Sequence, residues 1–196
     1  MGSARSDDTK SLKAAVVDWI TPTNEVLSPL LQRNIKSDRG YFHPRTGELL
    51  CPVNLDWNDH KSVIRRTLPT VICGLRFLFR NYEYNPADPW DGLLRSGLLV
   101  KAFKHVFTSP SSVYNGDGSS KSTKSSNARI HGMTSVTIPS IAYIATQVRF
   151  ALGSGTTFSR TDKATDSEYF YELLIEVLED PDEYAEVSDL LKWWNQ

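Results

Sequence analysis

Three side chains suited to binding an anion, Asn127, Arg129 and His131, lie ahead of a predicted helix start at Pro139. Backbone N–H groups at a helix start and the helix dipole favour negative charge, and an arginine guanidinium can bind a carboxylate or phosphate through two parallel hydrogen bonds. The pattern predicts a site for a small anion, or for an enzyme substrate that carries one. The alternative is structural: Arg129 pairs with the acidic C-terminal region, and His131 caps or packs locally.

The histidines and cysteines do not fall into a metal-binding pattern. No pair of them has the C-x₂₋₄-C, H-x₃₋₅-H or HExxH spacing of zinc sites. The sequence therefore predicts neither a metal ion nor another cofactor. The residues considered are His43, Cys51, His60, Cys73, His105 and His131.

The sequence also lacks the usual motifs of nucleophilic catalysis and phosphate binding. It contains no GxSxG elbow, no Walker loop and no GxGxxG fingerprint. Cys51 lies between Leu50 and Pro52, and apolar neighbours are typical of a packed, unreactive thiol. These observations favour a protein that is not an enzyme.

Charge is distributed unevenly along a chain whose formal net charge is −1. Residues 61–133 contain 11 Lys or Arg and four Asp or Glu, a net charge of +7, whereas residues 162–196 contain two Lys and 11 acids, a net charge of −9. Such runs usually mark solvated faces or two regions that face each other. Nucleic-acid binding by the basic segment is the alternative. The near-neutral total does not favour it, and Phe77 and Phe79 fall in apolar runs typical of a core.

Helical periodicity and helix start signals predict the elements that would position these residues. Apolar residues recur at three- and four-residue spacing, and Pro or Asp-Pro marks several starts. The predicted helices are Ser11–Ile20, Asn24–Arg33, a helix from Pro69, one from Asp88-Pro89 to Thr108, one from Pro139 to Leu152, and an αα-hairpin whose helices follow the capping box Thr165–Glu168 and the joint Asp180-Pro181.

These elements predict a mainly α fold, a single-domain helical bundle of about five to seven helices. A turn signal at Pro44–Gly47 predicts a small irregular or β-hairpin segment near residues 41–56. Residues 1–10 are polar and are predicted to form a disordered tail. The Gly/Ser/Lys-rich residues 115–126 are predicted to form a flexible loop within a domain that spans residues 11–196.

The composition indicates an intracellular protein, cytoplasmic or nuclear. Two cysteines are too few for a disulfide framework, and no N-terminal segment has the layout of a secretory signal. No apolar run approaches the roughly 18 residues that a membrane span needs. We therefore expect reduced thiols and no membrane partner.

Five stretches of the chain carry a resemblance to a known family. They are RNIKSDRGYFHPRTGELLCP, DPWDGLLRSGLLVKAFKHVFTSPSSV, NARIHGMTSVTIPSIAYIATQVRFAL, FSRTD and LEDPDEYAEVSDLLKWWN. On these stretches the chain resembles an expanded, functionally uncharacterised domain family of mushroom-forming (basidiomycete) fungi. The resemblance implies no activity, cofactor or catalytic residue. Residues 61–80 are more apolar than the resemblance implies.

The function that these observations favour is a non-enzymatic, intracellular protein-interaction module. The last predicted helix ends in Trp193-Trp194, and its apolar stripe accounts for Trp194 but not for Trp193. An exposed tryptophan is a typical interface anchor, so Trp193 is predicted to contact a protein partner or a second copy of the chain. The alternatives are a small-molecule or anion-binding protein or enzyme that uses Arg129 and His131, and nucleic-acid binding through residues 61–133.

Overall fold

The structure is a computed structural model of the 196-residue chain. It describes residues 2–59, 74–113, 132–155 and 167–196, with side chains from Asp8 onward. The α-helices are α1 (Gly2–Ile20), α2 (Pro44–Leu50), α3 (Gly97–Phe103), α4 (Ile138–Leu152), α5 (Ser167–Leu178) and α6 (Tyr184–Trp194). Within these ranges the β-structure consists of two isolated bridges, so the predicted mainly α fold is confirmed.

Helix α4 is the centre of the fold. Seven of its apolar side chains are buried, and α1, α2, α3 and α5 pack around it. A helix that is apolar on most of its faces belongs in the interior of a protein. Its predicted bounds are confirmed. Pro139 lies in the first turn, the Ser140 hydroxyl accepts a hydrogen bond from the Thr137 backbone N–H (3.0 Å), and Gly153 follows the last turn.

Helix α1 begins at Gly2, earlier than the predicted start at Ser11. Two polar residues near this end of the helix, Asp8 and Thr9, contact α4. The Tyr143 hydroxyl donates a hydrogen bond to Asp8 (2.9 Å), and the Thr9 hydroxyl donates one to Gln147 (3.0 Å). These two hydrogen bonds hold Asp8 and Thr9 against α4 although neither side chain is apolar.

The prediction of a helix over Asn24–Arg33 is wrong, because this segment runs in turns and extended backbone. Asn24 has a left-handed conformation with φ of 65°, which a continuous helix cannot contain. The backbone carbonyls of Gln32 and Arg33 accept hydrogen bonds from the guanidinium of Arg39 rather than from amides in a helix.

The segment near residues 41–56 contains the short helix α2 rather than a β-hairpin. Pro44 occupies its first turn, where its fixed φ suits a helix and no N–H is needed. The His43 Nδ1 atom accepts a hydrogen bond from the Arg45 backbone N–H (3.0 Å) and caps the helix. The Pro44–Gly47 turn signal therefore marks a helix start.

Helix α3 begins at Gly97, later than the predicted start at Asp88. Gly92 and Leu94 have φ values of 75° and 56°, so the chain between the two positions cannot be helical. The Ser96 hydroxyl caps the helix that follows. After a π-helical turn, Lys104–Thr108, the helix ends at the predicted place.

Residues 74–80 do not continue a helix from Pro69, which itself lies outside the described residues. They contain the 3₁₀ turn Arg76–Leu78, flanked by Leu75 and Phe79 in extended conformation, and a further 3₁₀ turn, Arg80–Tyr82, begins at the end of this stretch. Phe77, Leu78 and Phe79 are buried in the core.

Helices α5 and α6 form the predicted αα-hairpin around the Asp180-Pro181 joint, where the Asp180 carboxylate accepts from the Asp182 backbone N–H (2.9 Å). Thr165, the first residue of the predicted capping box, lies outside the described residues. The hairpin faces part of the basic segment, since Arg95 forms an ion pair with Asp189 (2.6 Å).

Arg39 lies inside the protein and ties a turn segment to the end of α4. Its side chain is 1% exposed, and among the described residues no carboxylate forms an ion pair with it. Burial lowers its pKa to about 10, so it stays charged at neutral pH. The negative end of the α4 dipole favours a cation at this position. The guanidinium donates hydrogen bonds to four carbonyls, those of Gln32 (3.2 Å), Arg33 (3.0 Å), Ile35 (3.1 Å) and Ala151 (2.7 Å).

Lys36 makes a second cationic contact just beyond the end of α4. Its ammonium donates a hydrogen bond to the Gly155 carbonyl (2.6 Å) and lies 3.2 Å from the ring centroid of Phe150. The residue is 5% exposed. Burial, followed by the charges of Arg39 and Lys13, lowers the pKa of Lys36 to about 7.

We expect Arg39→Lys to lower the free energy of unfolding by about 3 kcal/mol or more, because a lysine cannot reach all four carbonyls and breaking a buried polar network is strongly destabilising. The measurement is urea denaturation followed by circular dichroism. Arg33→Lys is the matched control: its ion pair with Asp18 is exposed, so its loss should cost under about 1 kcal/mol. Equal effects of the two substitutions would contradict this role of Arg39.

We expect the titration of Lys36 to make the protein more stable as the pH rises from about 7 toward 10. In this window the unfolded chain keeps a proton on Lys36 that the folded chain has released, so the free energy of unfolding increases with pH. Below this window Lys36 is protonated in both states, so it no longer makes the free energy of unfolding depend on pH.

Urea denaturation at several pH values should show a steeper rise for wild type than for Lys36→Met, by up to about 1.4 kcal/mol per pH unit. Lys10→Met, on exposed α1 surface, should keep the wild-type slope. Parallel slopes for wild type and Lys36→Met would refute the titration.

Candidate functional site

The residues predicted to bind an anion, Asn127, Arg129 and His131, lie outside the described residues. The same holds for His60 and Cys73. In the part of the chain that the structure describes, no group of three or more His, Cys, Asp or Glu residues is placed to hold a metal ion.

The two remaining histidines have structural surroundings. His43 caps α2 through Nδ1, so its ring proton lies on Nε2, which donates to the Pro29 carbonyl (2.7 Å). His105 lies edge-on to Trp19 with ring centroids 5.4 Å apart, and burial lowers its pKa. Burial raises the pKa of the Cys51 thiol, which matches the packed, unreactive cysteine expected from its neighbours.

In the described part of the basic segment, Phe77, Phe79 and Tyr82 pack against the protein itself. Phe77 and Phe79 are buried, as expected from the apolar runs that contain them. The Tyr82 ring lies 5.2 Å from the guanidinium of Arg45. Single-strand binders use accessible aromatic side chains beside their cations. None of the large hydrophobic side chains that are exposed in the described part of the chain lies in residues 74–113.

The two C-terminal tryptophans differ in their contacts. The Trp194 Nε1 atom donates to the Leu94 carbonyl (3.1 Å), and its ring lies 5.2 Å from that of Phe103, so Trp194 belongs to the core. Trp193 is half-buried and meets Trp194 edge to face, with centroids 5.4 Å apart. Part of the Trp193 ring is therefore available to a partner.

Residues 26–43 include three polar side chains that are buried and five large apolar side chains that are exposed, and we call them the inverted segment. Three polar side chains, Lys36, Arg39 and His43, are buried. Of the seven large hydrophobic side chains that are exposed in the described part of the chain, five belong to this segment. They are Val26 (78% exposed), Leu30 (71%), Ile35 (41%), Tyr41 (50%) and Phe42 (76%).

Hydrogen bonds between the two ends of the inverted segment bring some of these apolar residues near one another. The His43 ring is hydrogen-bonded to the Pro29 carbonyl. Leu30 follows Pro29 in the chain and Phe42 precedes His43, so both lie next to this hydrogen bond. The Tyr41 hydroxyl donates to the Leu50 carbonyl (3.2 Å) and orients the exposed ring. A buried polar group and an exposed apolar group are each informative departures from the usual pattern. Here both occur in one short segment.

A cleft of about 480 Å³ adjoins the inverted segment. It is lined by residues from four parts of the chain, namely 27–28, 43–45 with Glu48, 56–58 and Arg76. One wall is the Trp57 ring, which packs directly on α2: a Cβ atom added to Gly47 would lie 2.1 Å from the ring. Glycine at position 47 is therefore required for this wall.

The charged groups of the cleft are only partly paired. Arg45 forms an ion pair with Glu48 (3.0 Å) and donates to the Ile20 carbonyl (3.1 Å). Among the described residues, Arg76 makes one side-chain hydrogen bond, from Nη2 to the Leu55 carbonyl (3.2 Å), and its buried Nε atom has no partner there. The Asp56 carboxylate accepts from the Asn58 backbone N–H (2.9 Å). Neither Arg76 nor Asp56 forms an ion pair with a described residue.

Sequence reasoning did not identify the inverted segment or the cleft as a site. The sequence singles out His43 only as a candidate metal ligand and Arg76 only as one cation of the basic segment. The available signals were Pro29 inside the predicted helix Asn24–Arg33 and the placement of Tyr41-Phe42 among charged and polar residues. Such a run predicts a loop, and only the structure shows that the loop is anchored by polar residues and exposes its apolar ones.

No helix in the described ranges is long and apolar enough to cross a membrane. No curated protein and no solved structure matches the chain. One protein family, described as a family of unknown function, has a sequence model that matches residues 1–196, the full length of the chain. The expectation of a functionally uncharacterised family is thereby confirmed. The chain belongs to the DUF6698 family, a family of unknown function.

Proposed function

We propose that this chain is a non-enzymatic protein-interaction module that binds a partner protein through the exposed side of the inverted segment, residues 26–43. The observation that carries the proposal is the concentration of exposed apolar side chains there, above all Leu30, Tyr41 and Phe42. Exposed apolar side chains that are concentrated in one segment are a common feature of protein contact sites. Aromatic side chains are frequent anchors of such contacts.

The inverted segment is ordered before any partner binds. Arg39 and Lys36 fasten it to the end of α4, and His43 closes it onto Pro29. A surface that is already ordered loses less conformational entropy on binding than a loop that must fold first. The buried polar residues thus support the presentation of the apolar ones.

The burial of these side chains by a partner would contribute to the free energy of binding. Full burial of one large apolar side chain contributes about 1.5–3 kcal/mol. Leu30 and Phe42 are 71% and 76% exposed, so most of this contribution is still available. Trp193 offers less area because Trp194 and its surroundings cover part of it, and we propose it as a secondary contact.

We further propose that the module acts inside the cell, in the cytoplasm or nucleus, and that the family is a fungal one. Cys51 is a free, buried thiol, which suits a reducing compartment. The fungal assignment rests on the resemblance of the five sequence stretches quoted above.

We expect the double substitution Leu30→Ser and Phe42→Ser to abolish partner binding without unfolding the protein. Both side chains are exposed, so the free energy of unfolding should change by under about 1 kcal/mol. The measurement is affinity capture from an extract of the source organism with quantitative mass spectrometry, together with light scattering of the purified chain to detect self-association.

Tyr184→Ser is the matched control, because Tyr184 is 76% exposed, as Phe42 is, but lies on α6. It should retain every protein that wild type captures. Recovery of the same proteins by the double variant, or loss of them in Tyr184→Ser alone, would place the interface elsewhere. A monomeric wild type that captures no protein would refute the interaction function.

A further inference from the structure

We infer that the cleft beside α2 binds a small zwitterion of amino-acid type, with its carboxylate on Arg76, its ammonium on Asp56 and its apolar part against Trp57. This is a separate activity from the protein contact proposed for the inverted segment. The two adjoin, since Leu27 lines the cleft and Tyr41 stacks on Trp57, but Arg76, Asp56 and Trp57 lie outside the inverted segment.

Arg76 is the anion-binding group of the cleft. A guanidinium can donate five N–H groups, and the side chain of Arg76 makes one hydrogen bond to a described residue, the Leu55 carbonyl. Its Nε atom is buried and has no partner. A partly desolvated cation without an anion carries a free-energy penalty. A ligand carboxylate would remove this penalty through a charge-assisted bond.

Asp56 is the cation-binding group. Asp56 lines the same cleft, and its carboxylate accepts one backbone N–H, from Asn58, which leaves acceptor capacity for an ammonium. Asp56 and Arg76 line one cleft without forming an ion pair with each other. A ligand that carries both charges can bridge them, whereas a simple anion or cation satisfies one group only.

The other two charged residues of the cleft do not compete for the ligand. Arg45 and Glu48 form an ion pair with each other, and Arg45 is held further by the Ile20 carbonyl. The Arg76 and Asp56 charges are therefore the ones that remain for a ligand, and they are of opposite sign.

The size and walls of the cleft suit a ligand with an apolar side chain. Its volume of about 480 Å³ falls in the range of small-molecule sites. The Trp57 ring and Leu27 supply apolar surface, and the Trp57 ring is held in place by its stack on Tyr41 and its contact with Gly47. Apolar amino acids should therefore bind better than glycine.

The test is an NMR titration of the ¹⁵N-labelled chain, monitored at the Trp57 indole N–H and assigned with a Trp57→Phe variant. The probes are leucine, phenylalanine and glycine as free amino acids, with acetate and methylamine as single-charge controls. We expect saturable shifts with leucine or phenylalanine at a dissociation constant of about 1 mM. Acetate and methylamine should bind at least about tenfold more weakly.

Two substitutions separate the charges. Arg76→Gln and Asp56→Asn should each weaken amino-acid binding by about tenfold or more, and Asp56→Asn keeps the oxygen that caps Asn58. Arg80→Gln and Asp38→Asn, both at exposed positions outside the cleft, should bind as wild type does. Melting temperatures of all variants without ligand report any loss of folding.

Three outcomes would overturn the inference: no saturable shift with any amino acid, equal binding of acetate and leucine, or unchanged binding in both Arg76→Gln and Asp56→Asn. Binding of a peptide but of no free amino acid would also overturn it. The double variant Leu30→Ser and Phe42→Ser should retain amino-acid binding, so failure of this site and failure of the protein contact are distinguishable.

Discussion

The buried guanidinium of Arg39 is the contact on which the surrounding structure depends. Among the described residues its charge is met by backbone carbonyls alone, including that of Ala151 at the C-terminal end of α4. Burying a cation without hydrogen-bond partners raises the free energy of the folded state. Arg39 can therefore be buried only where these carbonyls and the C-terminal end of α4 surround its guanidinium. Because the carbonyls belong both to the turn segment and to α4, the burial of one side chain determines where residues 32–43 lie on the core.

This constraint also explains the exposed apolar surface. Lys36, Arg39 and His43 occupy the inward positions of their segment, so the neighbouring apolar side chains point outward. The segment thus gives up part of the hydrophobic stabilisation that it could have contributed to folding. A partner protein could recover that contribution by covering Leu30 and Phe42. The adjoining cleft depends on the same anchoring, because His43 lines it and the Tyr41 ring stacks on its Trp57 wall.

The parts of the fold that are predictable from sequence are those with local signals. Helix α4 has a cap, a proline and a dense apolar pattern, and the α5–α6 hairpin has periodic helices around an Asp-Pro joint. The inverted segment is not predictable in this way, since lysine and arginine are rarely fully buried, whereas Lys36 and Arg39 are buried here. The Arg39 partner on α4 is 112 residues away along the chain. The start of α3 is also not predictable from local signals. Gly92 and Leu94 adopt left-handed conformations, which helix propensity does not reveal and which prevent a helix from beginning at Asp88.

The most direct test of the account is hydrogen exchange of the free protein over residues 26–43. If Arg39 orders this segment without a partner, the amides of Arg39 and Phe42, which bond to the carbonyls of Lys36 and Arg39, should be protected. Arg39→Lys should abolish that protection while α6 keeps its own. The contrary result is that these two amides of the wild-type protein exchange as fast as in an unfolded peptide. The exposed apolar residues would then lie in a loop that Arg39 does not order.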